Sequence, residues 1–260
     1  MISRRALRVY TYSTAILLYV PIAVMVINSF NPSPYIGVWE GLSLHWYQLL
    51  LRDREAFTAF TNSLTVAVVS STLSTSIALI AAFQTRGRRL VALDSLVYPP
   101  IVMPEVAEAV ALFLAFTYVG VEKGWLTVML GHTAFNVAFA YVTLTVSKVR
   151  FEELENAART LGAGRLEVFK NIILPLAMPG IVAALAITFL LSFTNFIKTL
   201  FTTGPGFYTL PILIWNRARR PGVSELASQN ALNALATLVT LTALSIAVAY
   251  TIYMVKRVRS

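Results

Sequence analysis

Six long apolar segments limit what this chain can fold into more than any other feature of its sequence. They are residues 7–30, 60–83, 93–119, 125–147, 172–201 and 231–255. Each reaches the roughly 20 residues with which a helix crosses the hydrocarbon core of a bilayer. Lipid offers no hydrogen-bonding partner to an unpaired backbone group, so the segments are predicted to be helical. The sequence therefore predicts an all-α integral membrane protein with six transmembrane helices.

Composition and charge agree with a membrane protein. Hydrophobic residues make up 57% of the 260 residues and charged residues only 13%, against about 25% in an average soluble domain. The formal net charge is +9, but most basic residues stand at the ends of apolar segments, so we expect no nucleic-acid partner. The absence of cysteine excludes disulfides and thiolate metal sites. The two histidines look isolated, and no metal site is expected.

The basic residues predict the orientation of the segments, because short cytoplasmic loops carry an excess of lysine and arginine. Four groups fall on one side of a six-span bundle: Arg4, Arg5 and Arg8; Arg86, Arg88 and Arg89; Lys148 and Arg150; and Lys256, Arg257 and Arg259. Both termini and the loop 150–171 are therefore predicted to be cytoplasmic, and the loops 31–59 and 202–230 to lie outside. Arg217, Arg219 and Arg220 are the exception, because this topology places them outside. Residues 1–260 are interpreted as a single transmembrane domain.

A short amphipathic segment lies in the predicted cytoplasmic loop. A helix over residues 151–161 would align five apolar side chains on one face: Phe151, Leu154, Ala157, Ala158 and Leu161. Gly162 and Gly164 are predicted to end this helix. The segment is too short to be stable alone in water, so its apolar face needs a cover. That cover is either the protein's own helix ends or a groove on a cytoplasmic partner.

The stretch NAARTLGAGRLEVFKNIILP resembles the EAA motif of permease subunits of binding-protein-dependent ABC importers. That motif reads Glu-Ala-Ala, three residues, Gly, nine residues, then Ile-x-Leu-Pro. Six residues of this chain match it in register: Ala157, Ala158, Gly162, Ile172, Leu174 and Pro175. Asn156 stands where the motif has its glutamate, and Glu155 comes immediately before it.

The resemblance extends over most of the chain. NSFNPSPYIGVWEGLSLHWY, MPEVAEAVALF and FTTGPGFYTLPILIW are similar to the second permease of spermidine/putrescine-type importers. It implies a six-helix type I importer permease in the cell membrane of a prokaryote. It also implies a second permease subunit, usually a homologue, two ATP-binding subunits and an extracellular solute-binding protein as partners. The residues implied in coupling to the ATPase are Leu154, Glu155, Asn156, Ala157, Ala158, Leu161 and Gly162.

The chain is expected to do no chemistry of its own. It lacks the glycine-rich phosphate loop Gly-x-x-x-x-Gly-Lys-Ser/Thr. We therefore expect no catalytic residue and no cofactor here, with ATP and magnesium bound by the partner subunits. Two other classes stay open at this point: an ion-coupled secondary carrier, and an intramembrane enzyme that uses Glu105 and Glu108.

Four polar residues inside the spans are candidates for the solute path, because polar groups in lipid are costly. Glu105 and Glu108 share a helix face in the third segment, after prolines that should loosen that helix. Asn195 and Lys198 lie near the outer end of the fifth. The alternatives for the glutamates are a structural pair with the partner permease or a neutral buried acid, and the alternative for Lys198 is that it snorkels to the interface.

The charges conflict on the substrate. The two glutamates favour a cation such as a polyamine. Polyamine permeases similar to this chain tend to have acidic residues where Thr194 and Asn195 stand, and Lys198 would repel a polycation. Together with the outer arginines, Lys198 favours an anionic or neutral solute or an acidic binding protein, so the substrate is left open.

Overall fold

All regular structure is helical in the part of the chain that the computed structural model describes, residues 4–35, 37–85, 95–146 and 151–259. In chain order the helices are α1 Arg4–Asn28, α2 His45–Arg52, α3 Arg54–Thr85, α4 Pro99–Val102, α5 Glu105–Val119, α6 Trp125–Val146, α7 Phe151–Thr160, α8 Arg165–Val168, α9 Leu174–Phe193, α10 Ile197–Thr202, α11 Leu210–Ala218 and α12 Gln229–Arg259. Within these described ranges, five helical stretches are long and apolar enough to cross a membrane: Leu7–Asn28, Arg54–Gln84, Trp125–Thr145, Leu166–Phe193 and Gln229–Tyr253. The predicted all-α membrane architecture is confirmed.

In the described part of the third predicted segment, a break separates helices α4 and α5. Between them Met103 and Pro104 have extended backbone, with ψ values of 142° and 128°. Proline donates no backbone hydrogen bond and disfavours helical conformation at the residue before it, so Pro104 explains the break. The predicted loosening by proline is confirmed, and α5 begins at Glu105.

The fifth predicted segment is interrupted as well. Helix α9 ends at Phe193, and α10 begins at Ile197. Asn195 lies between them, and its Oδ1 accepts a hydrogen bond of 2.9 Å from the backbone N–H of Lys198. This bond satisfies one of the N–H groups that the first turn of α10 leaves without a helical partner. Before α9, residues Phe169–Ile173 form a π-helical turn.

The chain divides into two compact units, of which the first comprises residues 1–58 and 213–242. Asn31 organises its outer loop, because its Nδ2 donates to the Val38 carbonyl at 2.7 Å and its Oδ1 accepts from Glu40 N–H at 3.1 Å. The Asn31 carbonyl in turn accepts from the indole of Trp46 at 2.7 Å, and Trp46 is fully buried. A polar network thus fixes this loop around one aromatic side chain.

The outer arginines are predicted to face a solute or a partner, but Arg217, in the same unit, does not. Its Nη2 lies 2.6 Å from Asp53 Oδ2 and 2.8 Å from Glu55 Oε2, and the side chain is buried. Burial opposes its charge, but the hydrogen bonds to Glu55 and Asp53 outweigh this and raise the pKa of Arg217. Arg217 is therefore paired within the chain, and the interpretation that it attracts an anion is wrong.

The second unit comprises residues 59–212 and 243–260. Helix α6 packs along α9, and α10 packs against α5 and α6. Small side chains line the buried contacts, among them Ala78, Ala138 and Ala184. Small residues let membrane helices approach closely, and hydroxyls tie them together. Ser63 Oγ, for example, accepts a hydrogen bond of 2.8 Å from the backbone N–H of Leu210.

The predicted orientation is not settled by these helices. Among the basic residues that predict it, several lie outside the described residues: Arg86, Arg88, Arg89, Lys148 and Arg150. The side chains of Arg4, Lys256, Arg257 and Arg259 also lie outside them. The cytoplasmic position of both termini stays a prediction.

Candidate functional site

The two interruptions bring the four candidate path residues together. We call Glu105, Glu108, Asn195 and Lys198 the interruption cluster. Lys198 Nζ lies 2.9 Å from Glu105 Oε1 and 3.5 Å from Glu108 Oε2. Asn195 Nδ2 donates to the same Glu105 oxygen at 2.7 Å. Side chains from two separate predicted spans therefore form one hydrogen-bonded group.

Local structure explains why these side chains meet. Pro104 ends the extended stretch, so Glu105 is the first residue of α5, and Glu108 follows in the same turn. Residues three apart on a helix share a face, which lets both carboxyl groups reach one ammonium group. Lys198 stands in the first turn of α10, just past the second interruption. The predicted shared face of the two glutamates is confirmed.

Burial within the cluster is uneven. The Lys198 side chain is 0% exposed, whereas that of Glu105 is 45% exposed and that of Glu108 is 12% exposed. Lys198 therefore does not snorkel to the interface, and that interpretation is wrong. Counted formally, two carboxylates against one ammonium leave one negative charge. Glu105 is the member of the cluster that remains most accessible.

Two neighbours of the cluster were not predicted from the sequence. The Phe135 ring lies beneath Lys198, with 3.4 Å between Nζ and the ring centroid, a cation–π geometry. His132 is buried and bonds to Ser192 and Thr199. The prediction that His132 is isolated is wrong, because its partners come from distant parts of the chain. A polar side chain in an apolar span was the signal that could have found it.

The amphipathic segment forms α7, and one of its sides is covered by the chain itself. Ala158 packs with Val168 and Ile173 in a small apolar core. Glu155 is also buried, and its Oε1 lies 2.8 Å from Arg159 Nη2, one turn along the helix. The contacts of Ala158 attach α7 to the segment that leads into α9.

The other side of α7 is open. Asn156 and Ala157 are exposed, and Leu161, the residue directly after α7, is 89% exposed. We call Ala157 and Leu161 the open strip. The chain therefore covers one side of this helix itself and leaves an apolar strip uncovered on the other side.

Gly162 ends α7 as predicted. Its φ is +88°, a left-handed conformation that glycine adopts without strain. The backbone N–H of Ala163 bonds to the Ala158 carbonyl at 3.1 Å, the pattern of a glycine-terminated helix. The side chain of Leu154 lies outside the described residues.

Comparison with known proteins gives a consistent result. Residues 74–259 match the family model described as "Binding-protein-dependent transport system inner membrane component". The spermidine/putrescine transport system permease protein PotC of Escherichia coli (strain K12) is 31% identical over 236 residues, which cover 89% of this chain and 87% of PotC. The putrescine transport system permease protein PotI of the same organism is 37% identical over 236 residues, covering 85% of this chain and 81% of PotI.

Solved structures agree on the fold. A chain of a bacterial ABC transporter involved in the import of the acidic polysaccharide alginate superposes with a TM-score of 0.68 at 15% identity, covering 99% of this chain and 98% of that one. A second structure of a bacterial alginate ABC transporter, in complex with an alginate pentasaccharide-bound periplasmic protein, gives a TM-score of 0.66 at 16% identity, covering 98% and 96%.

Proposed function

The chain belongs to the family of binding-protein-dependent transport system inner membrane components, and from that premise we propose that its solute path runs past the interruption cluster. It is a multi-pass permease of the cell membrane, from a family that serves ABC importers. Family membership favours this class over the ion-coupled carrier and the intramembrane enzyme. We propose six spans, of which α4 and α5 together form the third, and both termini in the cytoplasm.

The proposed assembly contains this chain, a second permease subunit, two ATP-binding subunits and an extracellular solute-binding protein. ATP and magnesium bind to the ATPase subunits, and this chain has no catalytic residue of its own. The open strip of α7 supports this arrangement, because an exposed apolar surface of this kind fits a groove in the helix-in-groove mode. Ala157 and Leu161 contact the ATPase in this proposal, whereas Ala158 holds the helix against Val168 and Ile173.

A continuous run of structure connects the open strip to the cluster. The buried side of α7 packs on Val168 and Ile173, and Ile173 leads directly into α9. Helix α9 ends at Phe193, immediately before the interruption that carries Asn195. Movement of α7 with the ATPase subunits would therefore shift α9 and change the position of the cluster.

We propose a small organic cation, such as an aliphatic amine, as the solute. The observation that carries this step is the pairing of Lys198 with two carboxyl groups, which removes its repulsion for a cation. Arg217 is paired with Asp53 and Glu55 in the same way. Glu105 is left as the accessible charged group, and the named relatives PotC and PotI are permeases of spermidine/putrescine and putrescine systems.

The test begins with the cognate binding protein, whose ligands are measured by calorimetry. Binding of a cationic amine supports the proposal, and binding restricted to anionic or neutral solutes contradicts the proposed substrate class. The ligand found is then used in uptake by the reconstituted complex. Glu105→Gln should reduce this uptake, while Glu122→Gln, an acid in the loop after α5, should leave it unchanged. Equal uptake by both variants would contradict the proposed path.

A further inference from the structure

His132 lies at the centre of a series of hydrogen bonds that ends on the interruption cluster. Its Nδ1 is 2.7 Å from Ser192 Oγ on α9, and its Nε2 is 3.0 Å from Thr199 Oγ1 on α10. Ser192 Oγ is in turn 2.9 Å from Ser70 Oγ on α3. The ring therefore joins helices on both sides of the second interruption.

The partners fix where the proton of His132 resides. The Thr199 hydroxyl donates to the Asn195 carbonyl at 3.0 Å, and a carbonyl can only accept, so Thr199 Oγ1 must accept at the ring. Nε2 of His132 consequently carries the hydrogen. In a neutral imidazole the other nitrogen is then an acceptor, so Ser192 donates to Nδ1 and Ser70 donates to Ser192.

A doubly protonated ring would leave one hydrogen of this series without an acceptor. Nδ1 would then donate to Ser192 Oγ, which has two lone pairs and could still accept from Ser70 at 2.9 Å. The hydrogen of Ser192 would lose Nδ1 as its acceptor, and the hydrogen bonds described for Ser192 offer it no other. One neutral form of the ring satisfies all of these partners.

The series leads to Glu105. Thr199 holds the carbonyl of Asn195, whose side chain accepts from Lys198 N–H at 2.9 Å and donates to Glu105 Oε1 at 2.7 Å. Residues 194–196 lie between α9 and α10, and helical hydrogen bonds hold only the two ends of this stretch, at Thr194 N–H to the Leu190 carbonyl and at Leu200 N–H to the Phe196 carbonyl. The side-chain bonds around Asn195 therefore add to what holds this stretch in place.

We propose that His132 is a positioning residue of the solute path, whose neutral Nε2–H form holds the second interruption so that Glu105 is presented in one orientation. Its role in transport rests on the proposed function. The proton position and the restraint on the interruption do not, because both follow from contacts within the chain. The two experiments below need no solute, so they can fail separately from the proposed function.

The first experiment is ¹⁵N NMR of labelled histidine in the assembled complex. The chain has only two histidines, so His45→Gln leaves His132 as its only imidazole. With the partner subunits unlabelled, we expect one protonated nitrogen, assigned to Nε2, and one unprotonated nitrogen. Thr199→Val should shift the Nε2 resonance. Thr133→Val is the matched control, because that buried hydroxyl bonds to Met129 of its own helix. A proton on Nδ1, or a doubly protonated ring, overturns the proposal.

The second experiment measures the restraint directly. The chain contains no cysteine, and Thr194 is exposed at the interruption, so Thr194→Cys provides a single thiol reporter. Adding His132→Phe should raise the rate of modification by a water-soluble thiosulfonate about tenfold, the size expected when buried partners lose a hydrogen bond. Adding Thr133→Val should not change the rate. Equal rates in the His132→Phe and Thr133→Val backgrounds overturn the restraint, and a normal NMR result beside a failed uptake assay contradicts only the proposed function.

Discussion

The interruption cluster and helix α7 belong to the same compact unit, but they differ in whether the chain itself covers their functional groups. In the cluster, Lys198 is buried and its ammonium group is paired within the chain. On α7 the chain covers only one side and leaves Leu161 in the open. A charged group inside a membrane must find its partners within the protein, because lipid supplies none. The open strip is predicted to lie outside the membrane, where a partner subunit can cover it.

The largest effect is expected from a substitution on the open side of α7. Leu161→Asp should place a carboxylate in an apolar contact with the ATPase and reduce uptake about a hundredfold or more, because burying an unpaired charge is very costly. The variant should still insert and fold, since Leu161 contacts solvent in this chain. Uptake and solute-stimulated ATP hydrolysis of the reconstituted complex measure the effect.

Thr160→Asp is the matched control, because Thr160 is exposed on the polar flank of the same helix. It adds the same charge one residue earlier and should leave coupling nearly intact. Equal loss in the two variants would show that the strip has no special role.

The covered side of α7 should respond differently to the same chemical change. Ala158→Asp puts a carboxylate against Val168 and Ile173, so the cost falls on this chain itself and amounts to several kcal/mol. We expect a loss of folded subunit from the membrane, measured as monodisperse protein after extraction. Normal yield together with lost ATPase coupling would place Ala158 on the docking surface and abolish the distinction between the two sides.

The ion pairs of the cluster should contribute a smaller amount. Lys198→Met leaves Glu105 and Glu108 without their ammonium partner and should cost about 3 kcal/mol, the lower end for breaking a buried pair. The thermal unfolding midpoint of the complex reports the loss. Lys198→Met combined with Glu108→Gln removes the charge from the more buried acid and should recover part of it. If the double variant is no more stable than the single one, the charge pairing does not stabilise the cluster.

The smallest effect concerns the end of α7. Gly162→Ala should cost about 1 kcal/mol, because an L-residue is strained at a φ of +88° although nothing lies within 4 Å of the new methyl group. Gly164→Ala, where φ is not in that region and the space is also open, should be nearly neutral. Thermal denaturation of both variants tests the difference, and equal midpoints would contradict the assigned role of Gly162.

The sequence predicts the helices, the amphipathic segment and the residues of the cluster, because each of these depends on a local pattern. It identified Glu105 and Lys198 separately but could not bring them together, since their contact joins residues 93 positions apart. It missed the second interruption because residues 194–196 contain neither proline nor glycine. The pairing of Arg217 with Asp53, 164 positions away, was hidden for the same reason as the cluster.

Which side of α7 the chain covers could not be predicted from the sequence either. Ala157 and Ala158 differ by about 100° around a helix, so a pattern of apolar residues places both on one broad face. Only the packing of Val168 and Ile173 decides that Ala158 is covered and Ala157 is not. The resemblance identified the motif, and the structure distinguishes the residues that hold the helix from those that remain available to a partner.

The central claim, that the open strip is covered by an ATPase subunit, is tested most directly by thiol protection. The cysteine-free chain allows a single Leu161→Cys reporter, with Leu42→Cys, at 78% exposure, as the control site. We predict that a membrane-permeant maleimide modifies the Leu161→Cys thiol rapidly when the ATPase subunits are absent and slowly in the assembled complex. The rate at the control thiol should be the same in both preparations. Equal modification rates of the Leu161→Cys thiol with and without the ATPase subunits would contradict the account.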